Sequence, residues 1–408
     1  MMRDAPHRVV VTGVGAVSAL GNNAEEFWRA LRDGRCGIGP ITKVPRERLT
    51  TGAAAEVRDF DARRHFDKRH LNLLDPFAQF ALVSAAEAIA GAGLANPDAL
   101  GTDTAVIMGT AFGGDTSVNE AACRVYGARH ENIHPMTIPR AMTNAAVSHI
   151  AIKHGITGPA FTVSSACASA AHAIGQAFWM VRQGVVSTAI TGGAESCLTL
   201  GTLKAWEALR VLAPDTCRPF SRDRKGMVLG EGAGALVLES LDAARARGAN
   251  ILAELAGFGM STDAQDIVKP SCEGAARAIE ACLRDAGLCR EDIAYVNAHG
   301  TGTKLNDVVE TRALRRVFNG HAERLAVSST KSMHGHAMGA AGALEAVATV
   351  QAIRNGVVPP TVNYSEPDPE CDFDYTPNEA REIPIRAAIS NSFAFGGLNA
   401  VLAMTRFS

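Results

Sequence analysis

No apolar run in the chain approaches the ~20 residues needed to cross a bilayer. The segment from Met1 to Val11 holds no hydrophobic stretch ahead of a small-residue cleavage site. No membrane span and a soluble, cytoplasmic protein are therefore expected. An excess of one charge sign is also missing: 40 Lys and Arg stand against 42 Asp and Glu. That balance removes the basic surface a nucleic-acid partner demands. The nine cysteines, at 36, 123, 167, 197, 217, 272, 282, 289 and 371, are odd in number and contain no C-x-x-C pair. Neither a disulfide framework nor a structural zinc site is expected, and the thiols should be reduced. Linker-like tracts are absent as well, so the 39 glycines read as tight turns and close backbone contacts.

What is present is apolar bulk. The chain has 408 residues, 47% of them hydrophobic, enough for two cores. Val9 to Leu20 reads as a strand broken by Gly13 and Gly15. Ser18 stands where the third glycine of G-x-G-x-x-G belongs, which argues against a dinucleotide fingerprint. Ala24 to Gly34 reads as a helix, and Asp75 to Gly91 as another with Pro76 at its start. Thr104 to Gly114 is a buried-strand pattern ending in a glycine turn, where Phe112 is either core or the limit of an apolar channel. Asp61 to His70 is mixed in sign and locally basic. It is either a solvated turn or, through Arg63, Arg64, Lys68 and Arg69, a docking patch for an acidic partner. Arg218 to Lys225 reads as an exposed turn, and Val228 to Glu239 as a buried strand with a bend or bulge at its glycines.

The second half repeats the first. Val163-Ser-Ser-Ala-Cys167 lies 164 positions before Val327-Ser-Ser-Thr-Lys331. Both copies run into an apolar helix ending in Arg-x-Gly, at Arg182 to Gly184 and Arg354 to Gly356, with eight extra residues in the second. The period is too long for a solenoid unit. It indicates two duplicated α/β halves, 1–250 and 251–408, with two parallel sheets around shared helices and with Cys167 and Lys331 in matching turns.

Cys167, His299 and His336 fall beyond the carboxyl ends of expected strands, where an open α/β architecture exposes its ligand crevice. A cysteine at a helix start has a stabilised thiolate, which makes Cys167 a nucleophile; the alternative is an inert buried thiol. Zinc competes for one thiolate and two imidazoles, but the ligands would come from separated loops without a close pair.

Four segments carry a resemblance: Val163-Ser-Ser-Ala-Cys-Ala-Ser169, Asn297-Ala-His-Gly-Thr-Gly-Thr303, Ser329 to Gly342, and Asn391-Ser-Phe-Ala-Phe-Gly-Gly397. With them the chain, from Val9 to Phe407, resembles the elongating β-ketoacyl–acyl carrier protein synthases of the thiolase superfamily. Thr303-Lys-Leu-Asn-Asp307 resembles the nodulation-protein-E branch. The resemblance implies a thiolase-like fold, a layered α-β-α-β-α core. It implies acyl transfer to Cys167, then decarboxylative condensation with a malonyl thioester in fatty-acid elongation or a specialised acyl or polyketide pathway. His299 and His336 would promote decarboxylation, Lys331 would order the histidines, and Glu345 would support that network. Backbone N–H groups of Cys167 and Phe395 would form the oxyanion hole. Thr301 and Thr303 would hold the phosphopantetheine arm, with Phe112, Phe393 and Phe395 bordering the acyl path and Phe395 as its gate.

No cofactor and no metal are implied. The implied partners are an acyl carrier protein, bearing acyl- and malonyl-phosphopantetheine and docked near Arg69, and a second copy in a homodimer. Where the family has Gly-Phe-Gly-Gly-Thr-Asn, this chain has Ala394-Phe-Gly-Gly-Leu-Asn399. Together with Phe112, that leads us to expect short or medium primers. A coenzyme A-dependent thiolase and a non-condensing, chain-length-factor-like partner are the alternatives.

Overall fold

The computed structural model describes residues 6–96 and 99–408; the leader reading above falls in part on residues 1–5, outside them. Ten strands form one hydrogen-bonded sheet: β1 (Val9–Ser18), β2 (Thr104–Gly109), β3 (Ala160–Val163), β4 (Thr188–Glu195), β5 (Gly232–Ser240), β6 (Ala253–Thr262), β7 (Ile293–Asn297), β8 (Ala326–Ser328), β9 (Ala387–Ala394) and β10 (Leu398–Thr405). Their order is β8-β7-β9-β10-β6-β1-β5-β4-β2-β3. The halves are the same five-strand pattern run outward from the antiparallel β1/β6 pair.

Two parallel sheets were expected, and the sheet differs. Only the outer ladders β2/β3, β2/β4, β7/β8 and β7/β9 are parallel. β9 and β10 are joined by a tight turn and so must run antiparallel, and β4/β5 match them. The bend or bulge expected at the β5 glycines is not there: Gly232 and Gly234 pair in regular register, and the shift lies on β1 between Val11 and Gly13, opposite Leu238 and Val237.

Helices α1 (Pro76–Gly91), α2 (Ser169–Arg182), α3 (Leu200–Ala208), α4 (Cys272–Ala286), α5 (Lys304–Phe318) and α6 (Ala341–Asn355) complete the frame. α2 and α6 pack on each other between the half-sheets; α1 covers the first half outside and α4 the second. The result is the five-layer α-β-α-β-α arrangement. α6 is buried on every side from Ala341 to Ile353, so its sequence shows no polar stripe. Gly109 lets α2 approach β2: a Cβ there would lie 2.4 Å from the Ala170 nitrogen.

Arg218 to Lys225 is not the exposed turn its charges suggested. Phe220 and Ser221 are fully buried and Arg224 is 3% exposed. Arg224 lies 3.5 Å from the buried Asp307 carboxylate and also pairs with Asp368. A charged stretch is drawn inward when partners wait for it.

Candidate active site

β3 ends at Val163, and Cys167 sits in a three-residue helical turn, Ala166–Ala168, before α2 begins. Ala166 has φ +49°, a conformation costly for a residue with a Cβ. Local bonds hold it: the Ser165 N–H donates to Ser169 Oγ at 2.9 Å, Ser169 Oγ donates to the Ala166 carbonyl at 2.7 Å, and Ser165 Oγ meets His172 Nδ1 at 2.8 Å. The sulfur is buried. Burial pushes the thiol up to about 12, against the opposing pull of Lys331 and of the Phe395 and Cys167 N–H groups. The thiolate stabilisation expected from the helix start is thus outweighed by desolvation.

His299 follows β7. The His299 and Gly300 N–H groups donate to the two oxygens of Glu310, each at 2.8 Å, and Asn391 Nδ2 donates to Oε1 at 3.1 Å. His336 is fixed by its backbone, donating to the Val228 carbonyl at 2.7 Å and accepting from the Gly230 N–H at 2.9 Å. The two rings meet edge to face, 5.4 Å apart at 86°. Both are held well below the usual imidazole value, first by burial and then by Lys331, so both are neutral.

Lys331 is fully buried against Glu345, whose carboxyl burial raises to about 7 despite the ammonium. Lys331 Nζ also stands 3.3 Å from His299 Nδ1. An ammonium can only donate, so Nδ1 accepts and the ring proton sits on Nε2.

A cavity of ≈ 100 Å³ brings together Cys167, His299, His336, Thr301, Thr303, Phe393 and Phe395. The hydroxyls of Thr301 and Thr303 are 3.0 Å apart. Phe395 lies on the turn joining β9 to β10, with φ +85° and +67° at Gly396 and Gly397. The Gly396 N–H donates to the Ile267 carbonyl at 2.7 Å, and the Asp263 N–H to the Gly397 carbonyl at 2.9 Å. A wider groove of ≈ 1060 Å³ near Asn22 and Arg58 contains none of the residues that line the cavity.

The structure does not bring Phe112 to the cavity. It is 41% exposed, with its N–H on Glu195 Oε1 at 3.2 Å. His334 is also outside, bonded through Nε2 to Thr330 Oγ1 at 2.9 Å. Sequence reasoning missed Glu310, which has no motif of its own, and Trp206, which lines the cavity from an ordinary-looking helix.

Among the described residues no cluster of three or more His, Cys, Asp or Glu is arranged for a metal. Among the described residues, the buried side-chain oxygens without a hydrogen-bond partner are Asn22 Oδ1, Asn297 Oδ1, Asn391 Oδ1, Ser392 Oγ and Glu345 Oε2.

Residues 7–244 match the family "Beta-ketoacyl synthase, N-terminal domain" and residues 252–365 match "Beta-ketoacyl synthase, C-terminal domain". The chain is 48% identical to nodulation protein E of Rhizobium sp. (strain N33), over 97% of this chain and 98% of that protein. It is 41% identical to 3-oxoacyl-[acyl-carrier-protein] synthase 2 of Synechocystis sp., over 98% of each. Among solved structures it is similar to the ishigamide ketosynthase/chain length factor, with TM-score 0.95 and 38% identity over 99% of this chain and 100% of that one. It is also similar to a chain from a type II PKS acyl-carrier protein in complex with its ketosynthase, with TM-score 0.90 and 32% identity over 98% of this chain and 100% of that one.

Proposed function

The chain belongs to the β-ketoacyl synthase family, and on that premise we propose how its own residues perform the condensation. The reaction is decarboxylative Claisen condensation with a malonyl thioester on an acyl carrier protein. Cys167 Sγ attacks the acyl thioester. The oxyanion is held by the backbone N–H groups of Cys167 and Phe395, both of which favour negative charge on the sulfur; one such donor contributes about 3–4 kcal/mol. The carrier thiol leaves with the proton, and the acyl group stays on Cys167.

Malonyl thioester then enters along Thr301 and Thr303. As CO₂ departs, negative charge moves to the thioester oxygen and meets N–H donors on His299 and His336. The carbanion attacks the acyl-Cys167 carbonyl, the Cys167 thiolate leaves and is reprotonated, and a β-ketoacyl thioester remains on the carrier. The observation that carries this reading is Lys331 Nζ at 3.3 Å from His299 Nδ1, with His299 in a cavity shared with Cys167.

The higher identity to nodulation protein E, 48% against 41%, supports a specialised acyl pathway over bulk elongation. Arg63, Arg64, Lys68 and Arg69 are exposed and suit an acidic carrier, with Arg69 as the best single contact. β3 is an edge strand, and Phe161 on it is 39% exposed. An unpaired edge carrying an exposed aromatic side chain supports a homodimer formed edge to edge. No described helix is long and apolar enough to cross a membrane, and we assign the protein to the cytoplasm. The chain divides into halves at about residue 250, between Ala246, where the helix after β5 ends, and β6.

The test supplies acyl- and malonyl-carrier thioesters and follows CO₂ and β-ketoacyl-carrier. Both are expected, and both should require malonyl-carrier. Condensation of two acetyl-coenzyme A molecules without CO₂ would instead indicate a thiolase, and no turnover a non-condensing partner.

A further inference from the structure

His172 lies on α2, and its ring reaches back to the turn that carries Cys167. Nδ1 is 3.2 Å from the Ala168 carbonyl and 2.8 Å from Ser165 Oγ. A carbonyl only accepts, so Nδ1 bears the ring proton and shares it with the Ser165 hydroxyl oxygen. The ring is fixed from the second half of the chain, where Phe258 on β6 meets it edge to face, 6.0 Å apart at 83°. Phe258 is itself wedged between Trp179, at 5.0 Å, and the bare backbone of Gly175, where a Cβ would come within 2.5 Å of the phenyl ring.

The segment that His172 holds contains the strained residue of the site. Ser165 precedes Ala166, whose φ of +49° is one that a residue with a Cβ resists. Because the peptide group is planar, the conformation at Ala166 sets where the next N–H points. That N–H belongs to Cys167 and favours negative charge beside the sulfur. His172 does not line the cavity, so it acts through Ser165. His299 and His336 are held by other groups, Glu310 and the Val228 and Gly230 backbone.

We propose that His172 is a positioning residue for acyl transfer: its Nδ1–H, through Ser165, keeps Ala166 in the left-handed conformation and the Cys167 N–H aimed at the oxyanion. The inference rests on Cys167 being the acyl acceptor. It separates the two steps, because the decarboxylating imidazoles do not depend on this contact.

The test measures both steps in wild type, His172→Phe, His172→Asn and His172→Gln. Loading of Cys167 from hexanoyl-carrier thioester is read by intact mass, and CO₂ release is followed when malonyl-carrier is added to fully loaded protein. His172→Phe keeps an aromatic ring against Phe258 and removes the donor. Its loading should slow about 10²-fold at saturating hexanoyl-carrier, the size of a lost oxyanion donor, with KM and CO₂ release unchanged. His172→Asn places an amide N–H near the position of Nδ1 and should recover most of the rate, whereas His172→Gln, one carbon longer, should not. In an Ala166→Gly background, where positive φ is free of strain, His172→Phe should slow loading much less.

Loading by His172→Phe at the wild-type rate overturns the proposal. So do equal losses of loading and CO₂ release, equal rates in the Asn and Gln variants, or an undiminished effect in the Ala166→Gly background. The Asn and Gln pair keeps the test decisive if His172→Phe does not fold. A wild type that forms no adduct overturns the acyl-acceptor reading itself, and the positioning role with it.

Discussion

Ala166 and Met338 share one backbone conformation, at φ +49° and +45°, and each opens a three-residue turn leading into α2 or α6. The two lie 172 positions apart (338 minus 166), so the structural partner of Cys167 is Gly339. Lys331, expected opposite Cys167, belongs instead to the eight-residue excess of the second copy. That excess forms the helical turn Lys331–His334 and the bend carrying His336. The first half supplies the nucleophile, and the extra loop of the second supplies the ammonium and one imidazole.

Gly339 should tolerate no side chain. A Cβ would stand 2.3 Å from the Ala111 nitrogen and 2.7 Å from Glu195 Oε2, and the Gly339 N–H donates to that carboxylate at 3.0 Å. Gly339→Ala is expected to lower stability by at least about 1–3 kcal/mol in urea unfolding. Gly201→Ala, in α3 with its nearest neighbour at 3.8 Å, should be neutral or stabilising by up to about 1 kcal/mol.

Replacing either imidazole should separate the half-reactions. In His299→Asn and His336→Asn, acyl transfer to Cys167 persists while malonyl decarboxylation falls about 10²–10³-fold, the effect of losing one oxyanion donor. Equal loss of both steps would place the histidines elsewhere in the mechanism. The same rings set a pH dependence of stability. Their values in the folded chain lie well below 6.5, so their contribution is complete above 6.5 and is lost as pH falls, when the unfolded chain takes up the protons. Urea midpoints measured against pH should show that acid limb, and the Asn variants should flatten it.

The resting thiol should be sluggish. Burial raises Cys167 to about 12, so alkylation by iodoacetamide should keep rising with pH where an ordinary thiol, near about 8.5, would have levelled off. A plateau at neutral pH would mean that a preformed thiolate is present.

Glu345 is the partner that makes Lys331 tolerable. Glu345→Gln leaves a buried ammonium unpaired and should cost about 3–5 kcal/mol. Adding Lys331→Met should restore stability without restoring decarboxylation, because His299 Nδ1 then has no donor to fix its proton on Nε2. Recovery of both would reduce the pair to packing.

The motifs pointed to Cys167, His299 and His336, and the structure places all three on one cavity, with Lys331 against His299 and Glu345 against Lys331. The duplication was legible too, but an alignment on Val-Ser-Ser cannot see that the copies fall out of register after their strands. Arg224 was misplaced because local charge does not reveal Asp307 and Asp368, far away in sequence, that draw it inward. Trp206 was invisible because a helix's inward face is defined only by what packs against it.

The most direct test of the account is the intact mass of wild type and Cys167→Ala after incubation with an acyl-carrier thioester and then with malonyl-carrier. The account predicts an acyl adduct in the wild type alone, discharged on addition of malonyl-carrier with release of β-ketoacyl-carrier. An adduct on both proteins, or a wild-type adduct that malonyl-carrier leaves in place, would contradict it.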